Sequence, residues 1–227
     1  MTTTLAFLPS PLLGPAVWAA VGFLLADRGW TVAIPPPFGR IRSPADVLAH
    51  WEHALSEAAE YVVMPHSNAG LYVPELGERR RVVGTVFVDA ALPPATGSTP
   101  MAPPGLYRML AGLADSEGLL PPWTEWWGDA ELADLFPDAT TRDTVAAEQV
   151  RLPLSYFAHR MPVAAGWTHR PAAYLAFGDT YQREREAAAS SAWPVKTLPG
   201  GHLLMLTEPT LVAAALEDLL GTLGMAR

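Results

Sequence analysis

Short runs of β-forming residues alternate with amphipathic helical segments over the first part of this chain. Between two of the runs, Val47, Leu48, Trp51 and Leu55 recur at helical spacing. Such alternation predicts a parallel sheet with helices packed on both faces. The same rhythm returns near the end of the chain, so we predict an α/β fold with a mostly parallel sheet of about six strands. The predicted strands are 5–8, 30–34, 61–64, 82–88, 172–177 and 195–198.

The alternation stops after Ala95 and resumes only near residue 171. The residues between contain scattered prolines and several helical patterns, but no run of β-formers. A segment of this length is not a structureless loop inside a compact domain. We therefore predict a core domain formed by residues 1–95 and 171–227, with a helical cap inserted at residues 96–170.

Charge and residue content exclude several classes of function. The chain has 227 residues, a net charge of −8 and no cysteine. An acidic chain argues against nucleic acid as a partner, and the absence of cysteine excludes disulfides, thiolate catalysis and cysteine-ligated zinc. We expect no metal and no cofactor. The apolar stretch 15–26 is too short to cross a bilayer, so we expect no membrane contact and a cytoplasmic enzyme, with a homodimer left open.

One predicted strand, 61–64, runs into the small and polar residues Pro65-His66-Ser67-Asn68-Ala69. Small residues allow a strand to turn sharply into a helix, with the side chain at the tip exposed. This is the geometry of a nucleophile elbow, whose usual pattern is G-x-S-x-G. Both glycine positions are substituted here, so a turn without chemistry is the alternative.

Two further residues give the elbow its chemical context. A serine hydroxyl needs a base to take its proton, and the base needs an orienting carboxylate. Ser67, Asp179 and His202 each follow a predicted strand, where functional groups of parallel sheets gather. The order Ser-Asp-His, the loop Leu-Pro-Gly-Gly-His at 198–202 and the strand Val-Phe-Val-Asp-Ala-Ala at 86–91 resemble the α/β-hydrolase fold. The resemblance covers nearly the whole chain.

The resemblance implies a role for each of these residues. Ser67 would be the nucleophile, His202 the general base and then acid, and Asp179 the residue that orients the histidine. Asp89, at the end of the neighbouring strand, is the alternative acid, and its other reading is a capping carboxylate. We prefer Asp179.

An oxyanion hole needs two backbone N–H donors. The resemblance implies one from Asn68, the residue after the nucleophile, and one from the loop after the first strand. That loop reads Pro9-Ser10-Pro11-Leu12, and an alignment without a gap puts Pro11, which has no N–H, at the donor position. Either Leu12 replaces it, or the Ser10 hydroxyl does, or only one donor exists.

Three tryptophans lie within five residues of the predicted cap: Trp123, Trp126 and Trp127. Packing of the cap on the core accounts for some of them. We expect the others to line an apolar pocket between cap and sheet, with a hydrophobic small molecule as substrate.

Three functions fit these features. The first is serine-dependent hydrolysis of an ester or thioester of a hydrophobic small molecule. The second is a lyase or cyclase of small-molecule metabolism on the same scaffold, and the third is a catalytically silent ligand-binding protein. The fold alone does not choose among them.

Overall fold

The computed structural model describes residues 3–227. Its strands are β1 (Thr3–Leu8), β2 (Thr31–Ala33), β3 (Glu60–Ser67), β4 (Arg81–Ala90), β5 (Gly97–Pro100), β6 (Arg160–Val163), β7 (Ala172–Phe177) and β8 (Val195–Leu198). Six of them form one sheet in the order β2-β1-β3-β4-β7-β8, and every pair in it is parallel. This confirms the predicted parallel sheet and its six strands.

Helices occupy the connections between the strands. They are α1 (Ala19–Asp27), α2 (Pro44–Ala54), α3 (Val73–Arg79), α4 (Pro104–Leu113), α5 (Asp129–Leu132), α6 (Ala139–Glu148), α7 (Leu154–Phe157), α8 (Gln182–Ser190), α9 (Leu204–Thr207) and α10 (Pro209–Thr222). The start of α2 follows the sequence pattern, because the Asp46 carboxylate accepts a hydrogen bond of 3.1 Å from the Ser43 backbone N–H.

The side chains of β3 alternate between two layers of the hydrophobic core. Tyr61 and Val63 pack in the layer that includes α2 and α3. Val62 and Met64 pack in the opposite layer, which includes α1 and α10. Because both faces are buried, the strand is a continuous apolar run. The sheet is therefore covered on both faces, and polar groups collect at its strand ends.

The residues between β4 and β7, here called the cap segment, lie outside the six-stranded sheet and contain α4 to α7. In one respect they differ from the purely helical expectation. β5 and β6 pair antiparallel, with Gly97 opposite Val163 and Pro100 opposite Arg160. A two-stranded pair leaves one edge of each strand free, which lets it accept the prolines that hide it in the sequence.

Candidate active site

Ser67 is the last residue of β3, and its backbone adopts φ 58° and ψ −128°. A residue with a Cβ atom holds this conformation only where its surroundings impose it. The chain then enters a 3₁₀ turn at Asn68–Tyr72. Gly70 in this turn packs so closely on the Ala91 carbonyl oxygen that a Cβ atom there would collide with it. Ser67 thus occupies a sharp strand-to-helix turn of the kind that the sequence predicted.

His202 is paired with Asp89. Its Nδ1 atom lies 2.6 Å from Asp89 Oδ2, and Asp89 Oδ1 accepts a second hydrogen bond, of 3.1 Å, from the Phe177 backbone N–H. The Asp89 carboxylate is fully buried. Because a carboxylate only accepts hydrogen bonds from groups like these, the proton of the neutral His202 ring lies on Nδ1. That tautomer leaves Nε2 free to accept a proton.

This pairing corrects the preference for Asp179 over Asp89. The Asp179 side chain is 79% exposed and forms an ion pair of 3.2 Å with Arg185. Gly178, before it, has φ 56° and packs against the Gly200 carbonyl oxygen, so the chain turns at the end of β7. Arg185 also donates to the Gly178 carbonyl. These contacts hold the Asp179 carboxylate towards solvent.

His66 fixes the loop that carries His202. The two rings stack with their centroids 4.4 Å apart, and the His66 Nε2–H donates to the His202 carbonyl at 3.0 Å. Burial, and then the neighbouring His202, hold the pKa of His66 well below its ordinary value of 6.5. His66 is therefore a neutral positioning residue.

Tyr181, which the sequence analysis missed, contacts the candidate nucleophile. Its hydroxyl lies 3.2 Å from Ser67 Oγ, and its ring centroid lies 5.6 Å from that of His202. Burial raises the pKa of Tyr181 to about 12. The only sequence signal is its position shortly after β7, beside Asp179.

The loop after β1 places the four candidates for the oxyanion hole. Ser10 is buried, and its Oγ accepts a hydrogen bond of 3.3 Å from the Leu12 backbone N–H. Leu12 lines the cavity that Ser67 faces, and Pro11 is buried. Leu12 is therefore the residue of this loop whose N–H lies nearest in sequence to the proline, and a small loop movement would free it from Ser10.

A chain of hydrogen bonds joins Asn68 to the cap segment. The Asn68 Oδ1 accepts from the Tyr156 hydroxyl at 3.0 Å, and Nδ2 donates to the Met101 carbonyl at 3.1 Å. The Tyr156 oxygen also lies 2.5 Å from the Tyr72 hydroxyl. Because Tyr156 gives its proton to Asn68, Tyr72 is the donor in that contact. The residue after the nucleophile is thus held through its side chain.

Ser67, His202 and Tyr181 open onto a cavity of about 670 Å³ between the sheet and the cap segment. All three candidate tryptophans line it: Trp123 stacks obliquely 6.5 Å from His202, Trp126 packs on Phe157, and Trp127 is 36% exposed. The wall is mostly apolar, with Leu71, Leu92, Met101, Leu106 and Phe157 on it. Asp179, Arg183 and Glu184 line one end.

Two searches of residues 3–227 bear on the partners expected from the sequence. Within that range no group of three or more His, Cys, Asp or Glu side chains is placed to hold a metal ion. None of the helices described there has the length and apolar character to cross a bilayer.

No protein-family model matches the sequence, and no curated protein matches it either. Several solved structures are similar in fold. An extracellular α/β-hydrolase from a Paenibacillus species, described as sharing structural and functional homology with tobacco salicylic acid binding protein 2, has a TM-score of 0.74 and 14% identity over 96% of this chain and 98% of that chain. Polyneuridine aldehyde esterase has a TM-score of 0.72 and 14% identity over 96% and 99%. A variant of tomato methylketone synthase I with bound β-ketoheptanoate has a TM-score of 0.75 and 12% identity over 98% of both chains.

Proposed function

We propose that this chain, which has the α/β-hydrolase fold, is a serine hydrolase that cleaves an ester or thioester of a hydrophobic small molecule. One observation carries the proposal. The buried Asp89 holds His202 through Nδ1, while Ser67 occupies a sharp turn on the wall of the same cavity. Nucleophile, base and orienting carboxylate are the three groups that acyl transfer requires.

In the proposed reaction His202 Nε2 takes the Ser67 proton as Oγ attacks the acyl carbon. Asp89 keeps the ring in the required tautomer and stabilises the imidazolium that forms. The Asn68 backbone N–H, with that of Leu12 turned from Ser10, would stabilise the developing oxyanion. His202 then gives its proton to the leaving group, and water releases the acyl group from Ser67 by the same steps.

The cavity supports a hydrophobic substrate. Its apolar wall and three tryptophans would desolvate an aliphatic or aromatic group. The charged end at Arg183 and Glu184 is where a polar part of the substrate would meet solvent. We also propose a cytoplasmic location and leave a homodimer open, which cell fractionation and light scattering would test.

A fluorophosphonate probe followed by intact mass measurement tests the proposal. We expect one adduct per chain, no adduct on Ser67→Ala, and normal labelling of Ser56→Ala, which removes an exposed serine remote from the cavity. Wild-type protein should also turn over aryl butyrates, and Ser67→Ala should not. Equal labelling of Ser67→Ala would overturn the assignment of the nucleophile.

A lyase or cyclase on the same scaffold is the second candidate. It is favoured by the loop after β1, where Pro11 lacks an N–H and the Leu12 N–H is bonded to Ser10 Oγ. Such a reaction depends on a base more than on an oxyanion hole. Labelling of Ser67 without turnover of any ester or thioester would favour it, whereas hydrophobic ligand binding without labelling would favour a silent binding protein.

A further inference from the structure

The two sides of Ser67 differ in what they offer a substrate. In the sheet, β1 lies on one side of β3, and β4, β7 and β8 lie on the other. The loop with Leu12 follows β1, whereas Tyr181 follows β7 and His202 follows β8. Leu12 and the backbone of Asn68 are therefore the donors for an oxyanion on one side. Tyr181 and His202 share the opposite side.

The position of the leaving group follows from the proton that it must receive. His202 delivers this proton, so the leaving-group oxygen has to lie on the His202 side of Ser67. The Tyr181 hydroxyl is already 3.2 Å from Ser67 Oγ there, and its ring lies 5.6 Å from that of His202. Once Oγ is bonded to the acyl carbon, the leaving-group oxygen is attached to that same carbon. It therefore comes within hydrogen-bonding reach of this phenol.

We infer that Tyr181 is a catalytic hydrogen-bond donor to the leaving-group oxygen, with esters of aliphatic alcohols as the substrates that need it. The inference rests on the proposed serine hydrolase function. It adds to the triad a group that stabilises the departing alkoxide.

The step balances without any further reactant. The tetrahedral intermediate collapses when its oxyanion reforms the carbonyl double bond, and the carbon–oxygen bond to the leaving group breaks with its electron pair moving to that oxygen. The imidazolium of His202 transfers its Nε2 proton to this oxygen, which departs as an alcohol. Tyr181 keeps its own proton and donates a hydrogen bond to the charge that develops on the oxygen as the bond breaks.

The surroundings of Tyr181 suit a donor that stays protonated. Burial raises its pKa to about 12, to which the charge of Asp89 contributes, so the phenol is neutral over the working range of His202. The half-buried ring packs with the core layer of α2 and α3, which restricts the hydroxyl to the neighbourhood of Ser67. A phenol on a mobile surface side chain would lack this constraint.

The test is a series of butyrate esters whose alcohols differ in pKa: p-nitrophenyl, phenyl, trifluoroethyl and ethyl. The acyl group is constant, and kcat/KM reports acylation, the step in which the alcohol leaves. Tyr181→Phe should lower kcat/KM for the ethyl ester by roughly 10- to 100-fold, the effect of one hydrogen bond to a charged oxygen. It should lower that for the p-nitrophenyl ester by less than about 3-fold, because that leaving group needs little stabilisation.

The slope of log kcat/KM against leaving-group pKa should therefore be steeper for Tyr181→Phe than for wild type. Tyr107→Phe is the matched control, because it removes a half-buried phenol of α4 and should leave the slope unchanged. An equal loss for all four esters would overturn the inference and make Tyr181 a structural residue. If wild type cleaves none of them and a fluorophosphonate leaves Ser67 unlabelled, the proposed function itself fails, and the inference fails with it.

Discussion

Asp89 and His202, which are 113 positions apart in the sequence, are joined by a contact of 2.6 Å between Oδ2 and Nδ1. The carboxylate at the end of one central strand is buried and receives two hydrogen bonds. A buried carboxylate needs such partners, because an unpaired buried charge is strongly destabilising. The pair therefore serves both the fold and the proposed chemistry.

The first prediction concerns which aspartate orients His202. Asp89→Asn should lower kcat for an aryl ester by about 10⁴, because the amide no longer selects the tautomer with a proton on Nδ1. Asp179→Asn is the control and should stay within about 3-fold of wild type, since an exposed ion pair contributes little. Steady-state kinetics on both variants decide the matter. A severe loss in Asp179→Asn with an active Asp89→Asn would reverse the assignment.

The second prediction concerns pH and the buried His66. Its pKa is lowered in the folded protein, so the unfolded chain binds more protons once the pH falls below about 6.5. The free energy of unfolding should then decrease by at most about 1.4 kcal/mol per pH unit, down to the folded pKa. His66→Gln retains an N–H donor for the His202 carbonyl but does not titrate.

Urea unfolding at pH 7.5 and pH 5 measures this contribution. The loss of stability on acidification should be smaller in His66→Gln than in wild type. The raised pKa of Glu184 acts in the opposite direction but is present in both proteins, so it cancels in the comparison. The exposed His53 provides a control in His53→Gln. Identical pH dependence of His66→Gln and wild type would contradict the neutral, buried histidine.

The third prediction concerns the support of Asn68 by the cap segment. Tyr156→Phe removes the donor to Asn68 Oδ1 and leaves the Tyr72 hydroxyl without its acceptor. We expect the free energy of unfolding to fall by about 1–3 kcal/mol, the cost of unsatisfied buried polar groups. We also expect a loss in kcat, because the backbone N–H of Asn68 is no longer held in place. Unchanged kcat with reduced stability would show that the network only supports the fold.

The fourth prediction separates the tryptophans by burial. Trp127 lines the cavity but is 36% exposed, whereas Trp123 is 9% exposed. Trp127→Ala should therefore raise KM for a hydrophobic ester and change the melting temperature little. Trp123→Ala should lower stability by about 3–5 kcal/mol, as expected for a buried tryptophan. Thermal unfolding and KM for the two variants provide the comparison, and a stability loss confined to Trp127→Ala would contradict it.

Periodicity was enough to predict the strands, because each buried strand is a short apolar run between polar segments. It also located Ser67, His202 and the Ser43–Asp46 start of α2, which depend on residues close in sequence. It favoured Asp179 over Asp89 because the distance between strand ends is not encoded locally. One local signal does distinguish them: Asp89 ends the apolar run 82–88, whereas Asp179 precedes the polar residues 182–186.

Two features had no usable sequence signal. The pairing of β5 with β6 joins segments about sixty residues apart that both contain proline. Tyr181 is one tyrosine among six, and only the fold of the loop after β7 brings its hydroxyl to Ser67. Both depend on tertiary contacts that periodicity does not report.

Capture of the acyl-enzyme tests the central claim most directly. Wild-type protein mixed with p-nitrophenyl butyrate and quenched in acid should release up to one equivalent of p-nitrophenol in a burst. It should also carry one butyryl group on the peptide containing Ser67, detected by mass spectrometry. Ser67→Ala should show neither the burst nor the adduct. Full steady-state turnover by Ser67→Ala, or a butyryl group on another residue of the wild type, would contradict the proposed nucleophile.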